Sequence, residues 1–195
     1  MQKAVIIMGP PSSGKGTQAD FIAHEYELLH YDTGARLREL IAEDKIPNNA
    51  YDAGKLINSN WILQLVKGEL RPLTGKTGVA LSGSPRTVLE AFGDDENEGI
   101  VDFLVDAYGE NSVVVFSLNI SEEESILRSK KRGTKRSDGK PEIVRKRYED
   151  QYLNKVKPTI EEISKRGFNV FEIDGMPDPE TVFGTVEKIL DVEFN

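Results

Sequence analysis

The sequence predicts an α/β fold: a five-stranded parallel sheet with helices on both faces. Five short runs rich in β-branched residues alternate with segments whose apolar residues have helical spacing. The first run, residues 4–8, is apolar throughout, which is typical of a strand buried on both faces. It leads through a glycine-rich turn directly into a helical segment. This alternation favours parallel strands, because each helix returns the chain to the start of the next strand.

The elements follow one another in a simple order. We expect strands at residues 4–8, 28–31, 77–83, 112–120 and 168–174. We expect helices at residues 15–26, 35–42, 59–66, 87–92, 121–131, 142–166 and from Pro179 onward. Pro158 lies inside the longest of these helices and is expected to kink it, because proline lacks a backbone N–H. With no repeat and no long linker, residues 1–195 are predicted to form a single domain.

Composition limits the classes of partner. The chain has 195 residues and a formal net charge of −8, so its overall field repels nucleic acid and anionic membrane. A phosphate ligand therefore needs a local cluster of positive charge. The absence of cysteine excludes disulfides and thiolate metal sites. The apolar run near the start is too short for a signal or membrane segment, so we expect a cytoplasmic protein. We also expect a monomer with no nucleic-acid or membrane partner.

The stretch "GPPSSGKGTQ", residues 9–18, has most of the phosphate-loop pattern G-x-x-x-x-G-K-[ST]. Gly9, Gly14 and Lys15 fit the pattern, whereas Gly16 delays the hydroxyl to Thr17. Glycines allow successive backbone N–H groups to converge on an anion at a helix N-terminus, and the lysine adds a point charge. A simple turn before a helix is the alternative, but the strand before and the helix after favour the phosphate loop.

The loop resembles "GxPGSGKGTQ" of the nucleoside monophosphate kinases, and of the adenylate kinases above all, in which glycine after the lysine is normal. Further segments resemble the family in the same order: "YDTGARLRE" (31–39), "DAGKLINSNWILQLV" (52–66), "GSPRT" (83–87) and the charged stretch 128–152. The resemblance covers nearly the whole chain. It implies the P-loop NTPase type of fold, with a small acceptor arm at about 32–62 and a short lid at about 132–141.

The resemblance also implies an activity. A nucleoside monophosphate kinase of the adenylate kinase type transfers the γ-phosphoryl group of ATP reversibly to AMP, with Mg²⁺, and gives two ADP. Two polyanions then lie end to end, so catalysis consists mostly of positioning and of neutralising charge. Several arginines must converge on one point. For any single arginine, a solvated surface charge is the alternative.

Site residues follow from the resemblance, position by position. The residues implied to bind ATP are Gly9, Ser13, Gly14, Lys15, Gly16, Thr17, Arg128, Arg132, Gly175 and Met176. Those implied to bind AMP are Thr33, Gly34, Arg38, Ile57, Gly83, Arg86 and Glu90. The implied catalytic cations are Lys15, Arg86, Arg132, Arg136 and Arg147, and Asp138 would orient the lid arginine Arg136. A helix N-cap for Thr33 and a core contact for Ile57 stay open as alternatives.

The sequence departs from the family at several of these positions. Ser82 stands where the family has the aspartate that holds the Mg²⁺ shell, so no direct side-chain ligand to the metal is predicted. Gly139 replaces the second acid of the lid, Ser12 replaces a loop glycine, and Ala35 replaces an acceptor-segment aspartate. A nucleotide-binding protein with weak or no turnover is therefore one alternative.

Glu90 stands where the adenylate kinases have a glutamine that reads the base. A carboxylate only accepts hydrogen bonds, which would suit guanine or cytosine better than adenine. A kinase for GMP or CMP is thus a second alternative, although Thr33 matches the adenylate kinases. If Glu90 turned to solvent, backbone groups would read adenine instead. His24 and His30 are predicted to be isolated, so no Ser-His-Asp arrangement is expected.

Overall fold

The computed structural model describes residues 2–46, 57–132 and 140–194. Its centre is a sheet of five parallel strands in the order β2-β3-β1-β4-β5. The strands are β1 (Ala4–Met8), β2 (Leu29–Asp32), β3 (Val79–Ser82), β4 (Val113–Asn119) and β5 (Val170–Asp174). The predicted fold class is confirmed.

Helices cover both faces of this sheet. They are α1 (Lys15–Glu25), α2 (Thr33–Ala42), α3 (Ser59–Leu70), α4 (Val88–Phe92), α5 (Ile100–Tyr108), α6 (Glu122–Lys131), α7 (Pro141–Arg147), α8 (Lys157–Lys165) and α9 (Pro179–Glu193). A π-helical segment, Tyr148–Val156, joins α7 to α8. Two short 3₁₀ turns, Arg71–Leu73 and Glu110–Ser112, precede β3 and β4.

Alternate residues of the central strand divide the core into two layers. Ala4 and Ile6 face one apolar cluster and Val5 and Ile7 face the other, and all four are buried. The first cluster includes residues of α3, α5 and α8, whereas the second includes residues of α1 and α9. Burial on both sides explains why β1 is apolar without a break, and it fixes where the loop after Met8 begins.

Register places the carboxyl ends of the strands side by side. Asp32 at the end of β2 is the partner of Ser82 at the end of β3, and Ser82 is also the partner of Ile7 in β1. In an open parallel sheet, ligands bind at this edge, outside the carboxyl ends of the strands. The loops after β1, β2 and β3 meet there.

Several element bounds differ from the predictions by a few residues, and three further differences affect the sheet edge or the helices. The second strand begins and ends one residue later than predicted, which brings Asp32 into the sheet. The helix Ile100–Tyr108 was not predicted, although Ile100, Phe103 and Leu104 have helical spacing and are buried. The long predicted helix contains the π-helical segment, which ends at Val156. Pro158 follows at the second position of α8.

Parts of two predicted regions lie outside the described residues. These are residues 47–56 of the acceptor arm and residues 133–139 of the lid, with Arg136, Asp138 and Gly139. Among the helices that the structure does describe, none has the length and apolar character needed to span a bilayer.

Candidate active site

A cavity of about 390 Å³ opens at the carboxyl ends of β1, β2 and β3. Its walls come from the glycine-rich loop, the start of α2, the turn after β3, and the segment from α7 to the π-helix. Of the predicted site residues, the following line it: Gly9, Ser13, Gly14, Lys15, Gly16, Thr17, Gly34, Arg38, Ser82, Gly83, Arg86, Arg132 and Arg147. The structure thus brings together the greater part of the predicted set.

Backbone geometry shapes the phosphate loop. Gly14 is the N-cap of α1 with a φ of 96°, and no side chain caps the helix, so its first N–H groups remain directed at the cavity end. Gly9 has a φ of 139°, and a Cβ there would lie 2.4 Å from the Leu118 carbonyl oxygen. Ser12 also has a left-handed φ, 60°, which is strained for a residue with a Cβ and explains why glycine is usual at this position.

Lys15 reaches back across the loop. Its Nζ donates to the carbonyl oxygens of Gly9 at 3.0 Å and Pro10 at 2.6 Å. Burial, together with the positive charges of Arg86, Arg147 and Arg132, lowers the pKa of Lys15 to about 7, although the Asp32 carboxylate opposes this shift. The cavity therefore has a strong positive potential that a polyanion would relieve.

The arginines of the acceptor side converge on one point. Arg86 is held by its Nε, which donates to the Gly83 carbonyl oxygen at 2.6 Å. A Cβ added at Gly34 would meet Arg38 Nη1 at 3.4 Å and Arg86 Nη2 at 3.9 Å. The two guanidinium groups thus border the same space above Gly34, as a phosphate site requires.

The residues that are predicted to bind the donor adenine lie close to one another, but they do not line the cavity. Arg128 Nη2 donates to the Met176 carbonyl oxygen at 3.0 Å, and its Nε pairs with Glu124 at 2.6 Å. A Cβ at Gly175 would lie 3.5 Å from the Ser13 carbonyl oxygen, so this group adjoins the phosphate loop. Met176 is exposed.

Thr33 and Ile57 do not line the cavity. Thr33 is buried, and its Oγ1 lies 2.6 Å from Ser84 Oγ. The N-cap alternative for Thr33 is wrong, because Asp32 is the N-cap of α2 and accepts a hydrogen bond from the Ala35 N–H. Ile57 is half-buried and packs against the larger apolar cluster, which agrees with a core contact.

Glu90 is buried behind the acceptor side and does not turn to solvent. Its Oε2 accepts from the Arg86 N–H at 2.7 Å, and its Oε1 accepts from Ser59 Oγ at 3.1 Å. Burial raises the pKa of this carboxyl, although the Arg86 N–H favours the charged form. Both carboxylate oxygens of Glu90 therefore accept hydrogen bonds from groups of the protein itself, one of which is the Arg86 backbone N–H.

His30 is not isolated, contrary to the prediction. Its Nδ1 lies 2.6 Å from Asp20 Oδ1, and its Nε2 lies 3.0 Å from Ser82 Oγ. Because a carboxylate can only accept, Nδ1 carries the proton, and a neutral ring then accepts the Ser82 hydroxyl hydrogen at Nε2. The prediction failed because spacing in sequence did not reveal that α1, β2 and β3 bring these residues to one edge.

The oxygen atoms around the cavity suit a hard cation. Thr17, Asp32 and Ser82 all line it, and hydroxyl and carboxylate oxygens are the groups to which Mg²⁺ and its waters bind. Within residues 2–46, 57–132 and 140–194, no group of three or more His, Cys, Asp and Glu side chains could hold a metal ion. A metal here would depend on the oxygens of a bound nucleotide.

The sheet order, the phosphate loop after the first strand, and the arginines around one cavity define a P-loop phosphotransferase. A family model described as adenylate kinase matches residues 7–168. The chain belongs to the adenylate kinase family, and it is accordingly a nucleoside monophosphate kinase.

Curated relatives agree over nearly the whole length. An adenylate kinase of Rhizobium meliloti (strain 1021) is 31% identical over 194 residues, which cover 95% of this chain and 98% of that protein. One from Trichodesmium erythraeum is 34% identical, covering 96% and 97%. One from Archaeoglobus fulgidus is 29% identical, again covering 96% and 97%. The predicted family is confirmed.

The polar cavity residues that sequence reasoning missed include Asp20, His30 and Asp32. For Asp32 a signal was present, because it stands at the end of a predicted strand and directly before the acceptor segment. Asp20 and His30 carried no such signal. Their contact depends on tertiary packing of α1 against the sheet.

Proposed function

We propose that the chain catalyses the reversible, Mg²⁺-dependent transfer of the γ-phosphoryl group of ATP to AMP, giving two ADP. The observation that carries this proposal is the convergence of Lys15, Arg86, Arg132 and Arg147 on one cavity at the phosphate loop. Such a cluster has no role in stabilising the fold, since like charges repel. It suits two nucleotides that meet through their phosphates.

ATP would bind on the side of the phosphate loop. Its phosphates would be surrounded by the Thr17 hydroxyl and by the backbone of Gly9, Ser13, Gly14 and Gly16. Lys15 would give up its hydrogen bonds to the loop carbonyl oxygens and donate to phosphate oxygens. The adenine would lie against Arg128, with backbone groups of Gly175 and Met176 beside it. The bond between Arg128 and Met176 supports this assignment, because it already joins the two segments.

AMP would bind on the side of the cavity opposite to ATP. Arg38 and Arg86 would hold its phosphate above Gly34, and Gly83, which fixes the Arg86 side chain, would keep this site in place. Thr33, Ile57 and Glu90 would lie towards the base. The burial of Glu90 supports an indirect role, in which it fixes the Arg86 backbone and leaves adenine recognition to other groups.

Transfer would be direct and in line, with no covalent intermediate. Arg132 and Arg147, with Arg136 of the lid, would neutralise the charge that spreads over the transferring group, and Asp138 would orient Arg136. When bound, Mg²⁺ supplies further neutralisation of the phosphates. Lid closure would exclude water, so that AMP and not water receives the phosphoryl group.

Organisation of the chain supports a single catalytic unit. We assign residues 1–195 to one domain, about 32–62 to the acceptor arm and about 132–141 to the lid. A cytoplasmic location and a monomeric state stay predictions. The absence of a nucleic-acid or membrane partner is also a prediction, supported by the net charge of −8.

The test is a comparison of acceptors. The purified protein would be assayed with ATP and Mg²⁺ against AMP, GMP, CMP and UMP, and with EDTA as the control. We expect turnover with AMP that is lost in EDTA. Preference for GMP would contradict the proposal, and so would nucleotide binding without turnover.

A further inference from the structure

A carboxylate lies beside the phosphate loop at a position that the resemblance did not assign. Asp32 ends β2, and its neighbour across the sheet is Ser82, where the family has its metal-shell aspartate. A Cβ built on Gly16 would lie 3.8 Å from Asp32 Oδ2, and one built on Gly83 would lie 3.5 Å from Oδ1. The Asp32 carboxylate therefore stands between the phosphate loop and the turn after β3.

Capping of α2 occupies only one oxygen of this group. Asp32 Oδ1 accepts from the Ala35 N–H at 3.0 Å. Oδ2 lies on the side of Gly16 and is not used by this cap. Capping alone does not need a carboxylate, since asparagine and serine cap equally well.

Ser82 is poorly placed to replace the missing acid. Its hydroxyl is engaged with His30 Nε2, and a neutral hydroxyl binds Mg²⁺ or its waters more weakly than a carboxylate does. The nearest carboxylate on the neighbouring strand is that of Asp32.

The negative charge of Asp32 points to a function that capping of α2 does not explain. A carboxylate next to the phosphates of ATP repels them, unless a cation lies between the two anions. In the absence of nucleotide, Asp32 is near enough to Lys15 to oppose the lowering of its pKa by the arginines. Binding of ATP would turn Lys15 towards phosphate, and a divalent cation would then be the partner of Asp32.

We propose that Asp32 is the acidic residue through which this chain holds the hydrated Mg²⁺ of bound ATP, in place of the aspartate that Ser82 has replaced. The carboxylate thus lies at the end of β2, one strand away from the position of Ser82 on β3, at the same edge of the sheet. The inference depends on the proposed function only in taking ATP as the ligand.

The experiment measures how strongly Mg²⁺ and nucleotide help each other to bind. The dissociation constant of β,γ-imido-ATP, a non-transferable analogue, would be measured by calorimetry in Mg²⁺ and in EDTA, for the wild type and for Asp32→Asn. The ratio of the two constants reports the coupling. We expect Asp32→Asn to reduce this ratio at least fivefold, with tighter binding in EDTA and weaker binding in Mg²⁺.

Matched controls separate charge from capping. Asp178 caps α9 through the Thr181 N–H and does not line the cavity, so Asp178→Asn makes the same change at a helix start and should leave the ratio unchanged. Asp32→Ser keeps a capping side chain and provides a second variant to which the same criterion applies. The double variant Asp32→Asn, Ser82→Asp should restore the coupling.

A ratio within twofold of the wild-type value in Asp32→Asn and Asp32→Ser would overturn the inference. Because the measurement needs neither AMP nor turnover, its failure is distinct from failure of the proposed function. Absence of ADP formation would contradict the kinase reaction, whereas an unchanged ratio would contradict the role of Asp32.

Discussion

Ser82 Oγ lies 3.0 Å from His30 Nε2, at the point of the sheet edge where adenylate kinases are expected to carry a carboxylate. The opposite ring nitrogen of His30 is bound to Asp20 Oδ1 at 2.6 Å. Ser82, which stands in place of the family's aspartate, therefore belongs to a hydrogen-bonded chain that joins α1, β2 and β3. Its hydroxyl remains a neutral group next to the phosphate loop.

The first prediction restores the acid. Ser82→Asp should lower the Mg²⁺ concentration for half-maximal rate about tenfold, because a hydrogen bond to a charged group contributes roughly 1.5–3 kcal/mol. Steady-state rates over a Mg²⁺ titration would measure it. Ser82→Asn has similar size without charge and should show no such gain. Equal values for the two variants would mean that charge at this position has no effect on the metal.

The second prediction concerns the proton that nucleotide binding takes up. With a pKa of about 7, Lys15 is mostly neutral at pH 8 in the nucleotide-free protein, and bound phosphates would charge it again. We expect an uptake of about 0.9 proton per ATP at pH 8 and much less at pH 6. Calorimetry in buffers of different ionisation enthalpy measures this number. In Lys15→Arg the guanidinium stays charged, so the uptake should vanish, and its persistence would assign the proton to another group.

The third prediction concerns acceptor binding. Arg86→Lys should reduce kcat/KM for AMP by roughly 100-fold, because the lysine cannot reproduce a planar fork held by the Gly83 carbonyl. Thermal stability should change little. Arg166→Lys is the control, since Arg166 pairs with Glu162 on α8 and does not line the cavity. A loss in Arg166→Lys as large as that in Arg86→Lys would argue against an acceptor site at Arg86.

The fourth prediction is a pH dependence of stability. Burial raises the pKa of Glu90 above its usual 4.5, so the folded state binds more protons than the unfolded state just above that pH. The free energy of unfolding therefore falls as pH rises from the usual value through the raised pKa. Glu90→Gln removes the charge and still accepts from the Arg86 N–H, so it should be more stable at pH 7.

Denaturant unfolding between pH 4 and pH 7 would measure this difference, which should shrink towards pH 4. Glu96→Gln, a change at an exposed acid, should show no comparable trend. A difference between Glu90→Gln and the wild type that stays constant with pH would contradict the account.

Much of the fold and of the site could be predicted from local patterns. The unbroken apolar run of β1 and the glycine loop before Lys15 determine a strand, a loop and a helix within some twenty residues. The arginines were found through motif order, and the structure places Arg38 and Arg86 around one space.

Relationships across strands could not be predicted in this way. The bond between His30 and Ser82 joins residues 52 positions apart, and the place of Asp32 depends on a strand boundary that shifted by one residue. Glu90 was expected at the base or in solvent, but packing of α3 against α4 buries it beneath the backbone of Arg86. Register and packing decide such contacts, and periodicity alone does not encode them.

Direct observation of the reaction would test the proposed transfer of a phosphoryl group from ATP to AMP. Phosphorus NMR would follow the purified protein with equal amounts of ATP and AMP and with Mg²⁺. We expect the ATP and AMP signals to fall together while ADP appears with no inorganic phosphate, and we expect EDTA to stop the exchange. Release of inorganic phosphate from ATP with AMP unchanged, or no change in any signal, would contradict the proposed transfer.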